Sequence, residues 1–188
     1  YDSEFRYNSR PIPALQSLDK NGRVIYLGTF SKSIAPSLRI SYMVLPRPLL
    51  NTYLEQYLSF QSAVSRFEQA VLHEFIVSGH FATHLNKMRK LYRTRRQELI
   101  QALSAFGDQL EVLGEDAGLY LSVQLKNGLS ETEMCQRALK KGVKVYPLSP
   151  YFTDEVPPEH QSKVLLGFGA LNTQQIQQGV ALLKEAWL

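Results

Sequence analysis

Lys32 stands in the run Gly28-Thr29-Phe30-Ser31-Lys32-Ser33 with hydroxyl side chains on both sides, and Arg39 follows seven residues later. A lysine can form an imine with an aldehyde when its amine is deprotonated and accessible, a state that partial desolvation favours. If that aldehyde belongs to a phosphate-bearing cofactor, an arginine fork and small hydroxyl donors nearby match the phosphate oxygens in charge and geometry. Taken singly, a loop lysine is ordinarily a solvated surface group, and an arginine at a strand entrance is ordinarily a salt-bridge partner. The combination of Lys32, Arg39, Thr29 and Ser31 in one short segment is what points to chemistry.

The flanking patterns predict what holds this segment. Val24 to Gly28 is an apolar run that follows the Asn21-Gly22 turn signal, and Ile40 to Leu45 is another, closed by Pro46 and Pro48. Both read as buried strands with the polar loop between them. Tyr1 to Leu18, with Pro11 and Pro13, reads as irregular chain ending in a short turn or helix. Helical periodicity follows over Leu49 to Leu58, Ser65 to Val77 and about Phe81 to Ala105. Beyond Gly107, strands are expected at Gln109 to Leu113, Gly118 to Leu125, Val143 to Tyr146 and Val164 to Phe168. Helices are expected at Ser130 to Lys140, where Ser130 and Glu133 form a capping-box pattern, and at Asn172 to Trp187. No internal repeat or low-complexity tract is visible.

At 188 residues and 44% apolar composition the chain can bury a real core. Its longest apolar stretches stop far short of the roughly 20 residues a membrane-spanning helix requires. The single cysteine, Cys135, has no internal disulfide partner, and with it a reducing, cytoplasmic location is expected. A net charge of +4 is compatible with nucleic acid and with ordinary enzymes alike. The basic residues concentrated in Lys87 to Arg96 are interleaved with Met88, Leu91 and Tyr92, which predicts an amphipathic helix with a solvated basic face. His73, His80 and His84 are spaced by seven and four, but Gly79 interrupts their helix and no carboxylate or cysteine completes a set, so no metal site is expected. Nucleophile-elbow, dinucleotide and P-loop motifs are absent. The chain starts at Tyr1 with neither an initiator methionine nor a signal-like segment, so it reads as a piece of a longer protein.

The fifteen residues from Gly28 to Tyr42 resemble the cofactor-lysine segment of fold-type I pyridoxal 5′-phosphate enzymes. More narrowly, Tyr1-Asp2-Ser3-Glu4-Phe5-Arg6-Tyr7, Ile12 to Asp19 and Tyr42-Met43-Val44-Leu45-Pro46 resemble the MocR/GabR transcriptional regulators, which join an aminotransferase-like effector domain to an N-terminal winged-helix domain of the GntR type. The resemblance implies an α/β fold comprising the second half of an aminotransferase large domain, residues 1–92, followed by an α+β C-terminal small domain, residues 93–188. It also implies that Lys32 is the Schiff-base lysine, that Arg39 and Thr29 hold the phosphate with Ser31 as a further candidate, and that Tyr1 donates to the cofactor's phenolic oxygen. The family's aspartate for the pyridine nitrogen precedes this tyrosine, outside the chain, and Asp2 does not take that role. The partners implied are a small-molecule amine or amino-acid effector, a second copy in a homodimer, and DNA through a winged helix absent here.

Two positions depart from the pattern. Leu165 stands where aminotransferases of this fold place a substrate-carboxylate arginine in the last strand, and Pro150 stands where the γ-aminobutyrate-responsive regulator has a second one. Neither efficient transamination nor γ-aminobutyrate recognition follows from a site without that fork. Tyr146, Ser149 and Tyr151 are the nearest candidates for effector contact, and the effector is open among an amino acid, an amine and the cofactor itself. A catalytic aminotransferase is the alternative reading, and a fragment that keeps the fold but holds no ligand is a third.

Overall fold

The structure is a computed structural model describing residues 4–8, 10–57, 59–60, 62–114 and 116–188. The chain divides into two compact units, one of residues 10–88 and the other of residues 1–9 with 89–188.

The unit of residues 10–88 begins with a one-turn helix α1 (Leu15–Leu18). Asp19 then closes a turn with its own carboxylate, which accepts from the backbone N–H groups of Asn21 at 2.9 Å, Arg23 at 2.6 Å and Val24 at 2.8 Å. Gly22, at φ 64°, occupies the left-handed position this turn needs. The turn launches β1 (Tyr26–Thr29), which pairs antiparallel with β2 (Ser41–Val44) in the register Gly28 opposite Tyr42 and Thr29 opposite Ser41. Helices α2 (Arg47–Tyr57) and α3 (Arg66–Val77) follow, and the Ser65 hydroxyl caps α3 by accepting from Glu68 N.

The two strands lie where the apolar runs predict, but they are not buried. All of β2 is exposed, as is Leu27 at 73%. A run apolar on both faces is the pattern of a strand covered on both sides. Among the described residues this ribbon has no third strand, so its apolar side chains are left without cover.

Helix α4 (His80–Leu103) contains the division between the units, at Met88 and Arg89, and Gly79 at φ 79° separates it from α3. Its basic run is not simply a solvated face. Arg96 is buried with its guanidinium 5.1 Å from the Tyr7 ring centroid, Arg89 Nε donates to Glu4 O at 2.7 Å, and Arg95 donates to the Gly169 carbonyl. Leu91, expected on the apolar side, is exposed.

The second unit continues through a 3₁₀ turn to a four-stranded antiparallel sheet in the order β3-β4-β6-β5, made of β3 (Leu110–Leu113), β4 (Tyr120–Leu125), β5 (Tyr146–Pro147) and β6 (Lys163–Gly167). Helices α5 (Glu131–Lys140) and α6 (Thr173–Trp187) contribute Met134, Ala138, Ile176, Val180, Leu183 and Trp187 to a core shared with Leu121, Val123, Val164 and Leu166. The capping box of Ser130 and Glu133 forms as the sequence indicates, and Asn172 with Gln175 forms a second. Bonds from the Ser130 backbone and hydroxyl hold the Glu133 carboxyl below its usual value. Cys135 is half-buried, and desolvation together with the Glu131 charge pushes its thiol up, away from the reactive thiolate. Among the described residues no helix is long and apolar enough to cross a membrane.

The strand expected over Val143 to Tyr146 shrinks to Tyr146–Pro147. Val143 N donates instead to Ala138 O at the end of α5. Pro147, which has no N–H to donate, stands on the sheet edge, the strand position where that loss is tolerated.

Trp187 is 1% exposed and its indole N–H donates to Met134 O at 3.0 Å, linking α6 to α5. Trp187→Ala is expected to destabilise this unit by about 3–5 kcal/mol, read from urea unfolding followed by circular dichroism. Bonds from Asn21, Val24, Arg23 and Gly22 hold the Asp19 carboxyl below its usual value near 3.8. The stabilisation is therefore full above that value and disappears as pH falls through the lower folded one, because the unfolded chain binds the proton first. Asp19→Asn should lose stability at neutral pH and show a flatter acid limb below about pH 4 than the parent; an unchanged slope would remove Asp19 from the turn's acid response.

Candidate functional site

The loop Phe30–Ile40 is shaped by its own hydroxyls. Phe30 N donates to Ile40 O at 3.0 Å, extending the strand pairing by one bond. Ser31 Oγ donates to Leu38 O at 3.0 Å, and Thr29 Oγ1 lies 3.2 Å from Ser31 Oγ and 3.3 Å from Ile40 O. Inside the loop, Ile34 N donates to Phe30 O at 2.9 Å and Leu38 N to Ala35 O at 3.0 Å. The outgoing and returning chain are thus stitched together at the loop's neck, and Ser33 is buried within it.

This geometry brings four sequence candidates onto one loop. Thr29 ends β1, Ser31 follows the neck, half-buried Lys32 comes next, and exposed Arg39 lies between Leu38 and Ile40, the two residues whose carbonyls close the neck. Among the described residues neither Lys32 nor Arg39 makes a hydrogen bond or an ion pair, and no carboxylate occurs between Gly28 and Tyr42. Two cations without an internal counter-ion, beside two hydroxyls, are a donor set suited to a phosphate monoester. The Ser31 proton is already engaged by Leu38 O, so its oxygen would have to rotate to serve a ligand. Tyr1, the remaining candidate, lies outside the described residues, as does Asp2.

Gly28 carries no sequence signal of its own, because its significance depends on register. Tyr42 faces it across the ribbon, its ring 6.2 Å from that of Tyr26 and 5.3 Å from that of Phe30, centroid to centroid. A Cβ on Gly28 would fall 2.2 Å from Tyr42 Cζ, so the strand carries a glycine where the tyrosine ring lies flat on the backbone. Phe30 in turn packs on Phe81 of α4.

In the other unit, Tyr146 pairs with Leu165, and the β4 partner of Leu165 is Ser122, so the position where an arginine is expected is an apolar one on the open sheet face. Pro150 lies in a 3₁₀ turn over Ser149–Tyr151, whose Tyr151 is 74% exposed. The buried Glu131 carboxylate accepts from Leu148 N and, at 2.8 Å, from Ser149 N, fixing that turn from the start of α5. A buried acid at a helix N-terminus gives no sequence signal beyond the capping pattern it sits in. The histidines pack rather than converge: His80 and His84 lie against Phe75, and His73 is exposed. Among the described residues no group of three or more metal-binding side chains occurs.

The chain matches a part, somewhat under half, of solved fold-type I aminotransferases. The multiple substrate aminotransferase of Thermococcus profundus superposes with a TM-score of 0.81 at 30% identity, over 98% of this chain and 45% of that one. LysN, the α-aminoadipate aminotransferase of Thermus thermophilus, solved as a complex with N-(5′-phosphopyridoxyl)-L-leucine, superposes with a TM-score of 0.81 at 26% identity, over 98% of this chain and 47% of that one. The family model described as aminotransferase class I and II matches residues 3–178, and the chain belongs to that family. Among curated relatives, the uncharacterized HTH-type transcriptional regulator YhdI of Bacillus subtilis is 43% identical over all of this chain and 39% of its own length. The probable rhizopine catabolism regulatory protein MocR of Rhizobium meliloti is 38% identical over all of this chain and 38% of its own length. The chain therefore spans about two fifths of the curated relatives it matches.

Gly28→Ala is expected to displace the Tyr42 ring and cost about 1–3 kcal/mol of stability in urea unfolding. Combining it with Tyr42→Val should recover part of that loss; a single substitution without effect would show that the close approach is not a constraint.

Proposed function

We propose that this chain is the cofactor- and effector-binding part of a MocR/GabR-like transcriptional regulator. The observation that carries the reading is the stitched loop, which offers one half-buried lysine and one exposed arginine with no acidic residue among them. Pyridoxal 5′-phosphate fits this donor set, and when bound it would supply an aldehyde able to capture an amine. Lys32 Nζ would be the attachment point, Arg39 would hold the phosphate with Thr29 and Ser31 beside it, and Tyr1 would donate a hydrogen bond to the cofactor's phenolic oxygen. Residues 1–92 would belong to the large domain and residues 93–188 to the small one. Tyr146, Ser149 and Tyr151 would contact an amine or amino-acid effector, with Glu131 holding the turn that bears the last two.

In the whole protein an amine effector would compete with Lys32 for the aldehyde, and the altered restraint would pass to a winged-helix domain of the GntR type that binds DNA. The protein would act in the cytoplasm as a homodimer. A catalytic aminotransferase is the second reading, favoured by the likeness to the Thermococcus profundus enzyme. Leu165 and Pro150 weigh against it, because they leave no bidentate carboxylate clamp at either place.

In the full-length protein, Lys32→Ala is expected to abolish the borohydride-reducible adduct with pyridoxal 5′-phosphate; an adduct that survives would overturn the assignment. An amino-acid panel separates the two readings. A one-to-one change in cofactor absorbance without continuing keto-acid release supports sensing, whereas many turnovers per site support the enzyme.

A further inference from the structure

Phe30 opens the turn that carries Lys32, and its backbone is engaged on both sides. Its N–H donates to Ile40 O at 3.0 Å, which ties it to the returning chain, and its carbonyl accepts from Ile34 N at 2.9 Å. The second bond spans four residues and closes a single turn with Lys32 at its centre. Ser33 in this turn and Ile40 across the neck are buried. A lysine side chain is a flexible four-carbon stem, so the fold controls the reach of its amine mainly by fixing the Cα from which the stem starts. Whatever holds Phe30 therefore helps to hold Lys32.

The Phe30 ring is gripped from two directions. Tyr42 of β2 lies 5.3 Å away, centroid to centroid, and its own ring is seated on the Gly28 backbone. Phe81, in the first turn of α4, meets Phe30 edge-on at 6.0 Å with the ring planes 73° apart. Phe75 of α3 backs Phe81 at 6.3 Å, an approach that follows from the reversal at Gly79, whose φ of 79° separates α3 from α4. Tyr26, Gly28 and Phe30 alternate with exposed Leu27 and Thr29, so the rings share one face of the ribbon. Every residue of this row lies between Arg10 and Met88, and the row is complete within one compact unit. Phe30 and Phe81 carry no polar group, so they can act on a bound ligand only through placement.

We infer that Phe30 and Phe81 are positioning residues for the Lys32 amine, with Tyr42 as the wall against which Phe30 rests. The inference rests on the proposed role of Lys32 as the cofactor's attachment point. The clamp holds the turn without any ligand, so the amine is presented before binding rather than gathered by it. Misplacing a reacting group by about 1 Å can cost on the order of a hundredfold in rate, which gives such a clamp its value.

The test uses the full-length protein and reads Lys32 in two ways. Without cofactor, a short pulse of formaldehyde with cyanoborohydride methylates accessible amines, and peptide mass spectrometry gives the labelling of Lys32 relative to Lys20, an exposed lysine of the same unit. With cofactor, the borohydride-reducible adduct is titrated against pyridoxal 5′-phosphate concentration. Phe81→Leu keeps an apolar side chain but no ring. It is expected to weaken cofactor affinity by roughly two- to tenfold, up to the worth of one aromatic pair, and to raise the relative labelling of Lys32 by a similar factor. Phe30→Leu makes the same test from the loop side, and adding Phe81→Leu to it should go no further, because the two act through one contact. Phe81→Tyr keeps the ring and should match the parent. Ser65→Ala removes the cap at the end of α3 remote from Phe75, so it should lower stability in urea while leaving both readings at the parent values. The inference is overturned if Phe81→Leu leaves either reading at the parent value, if Phe81→Tyr behaves like Phe81→Leu, if Ser65→Ala moves the readings as far, or if the double variant exceeds Phe30→Leu. An adduct that persists in Lys32→Ala overturns the cofactor reading instead; the labelling needs no cofactor and still decides the clamp.

Discussion

The antiparallel pairing of β1 with β2 is the constraint on which the candidate site depends. It sets Thr29 opposite Ser41 and so brings the two ends of an eleven-residue loop to one place. Ordering a polar loop is entropically unfavourable, at about 1–2 kcal/mol per residue for the backbone alone. The Thr29 and Ser31 hydroxyls offset part of that cost by bonding to the carbonyls of the returning chain. Short hydroxyl side chains at these positions thus have a structural use before any ligand is considered. Among the described residues the lysine and the arginine have no internal partner, which is the property a binding site needs and a packed loop avoids.

The other unit manages its cations in the opposite way. Arg89 and Arg95 each end on a backbone carbonyl, and Arg96 is buried over an aromatic face. A guanidinium taken from water needs several partners at once, and a planar donor fork meets that need better than an ammonium would. Lys87, Lys90 and Arg93 on the same helix remain exposed. One helix therefore carries two kinds of basic residue, one fixing the fold and the other facing solvent.

Much of this was legible in the residues because periodicity and caps are local. The apolar runs, the Ser130 and Glu133 cap and the helix break at Gly79 each depend on a few neighbours, and each appears where the sequence placed it. What was not legible depends on pairing at long range. Gly28 acquires meaning only when Tyr42 is set across from it, and Phe5 only when Ala117 and Tyr92 are brought from more than eighty residues away. The same gap explains the strands read as buried: their pattern records a covered environment, but pattern alone does not say which residues do the covering. The strand expected at Val143 failed for a different reason, since its amide is captured by the end of α5. The candidate loop residues could be named from spacing, whereas the turn-fixing roles of Asp19 and Glu131 could not, because a carboxylate satisfied by backbone N–H groups looks in sequence like any surface acid.

Trp187 is the chain's single tryptophan, and it lies wholly within the core of one unit, against Phe106 and beneath the Met134 carbonyl. The chain thus carries an intrinsic optical label on one of its two parts. Indole emission reports the solvation of that core alone, while the tyrosines are spread over both parts. Comparing the two signals during denaturation would show whether the parts unfold as one cooperative body or as two, with no dye or engineered probe required.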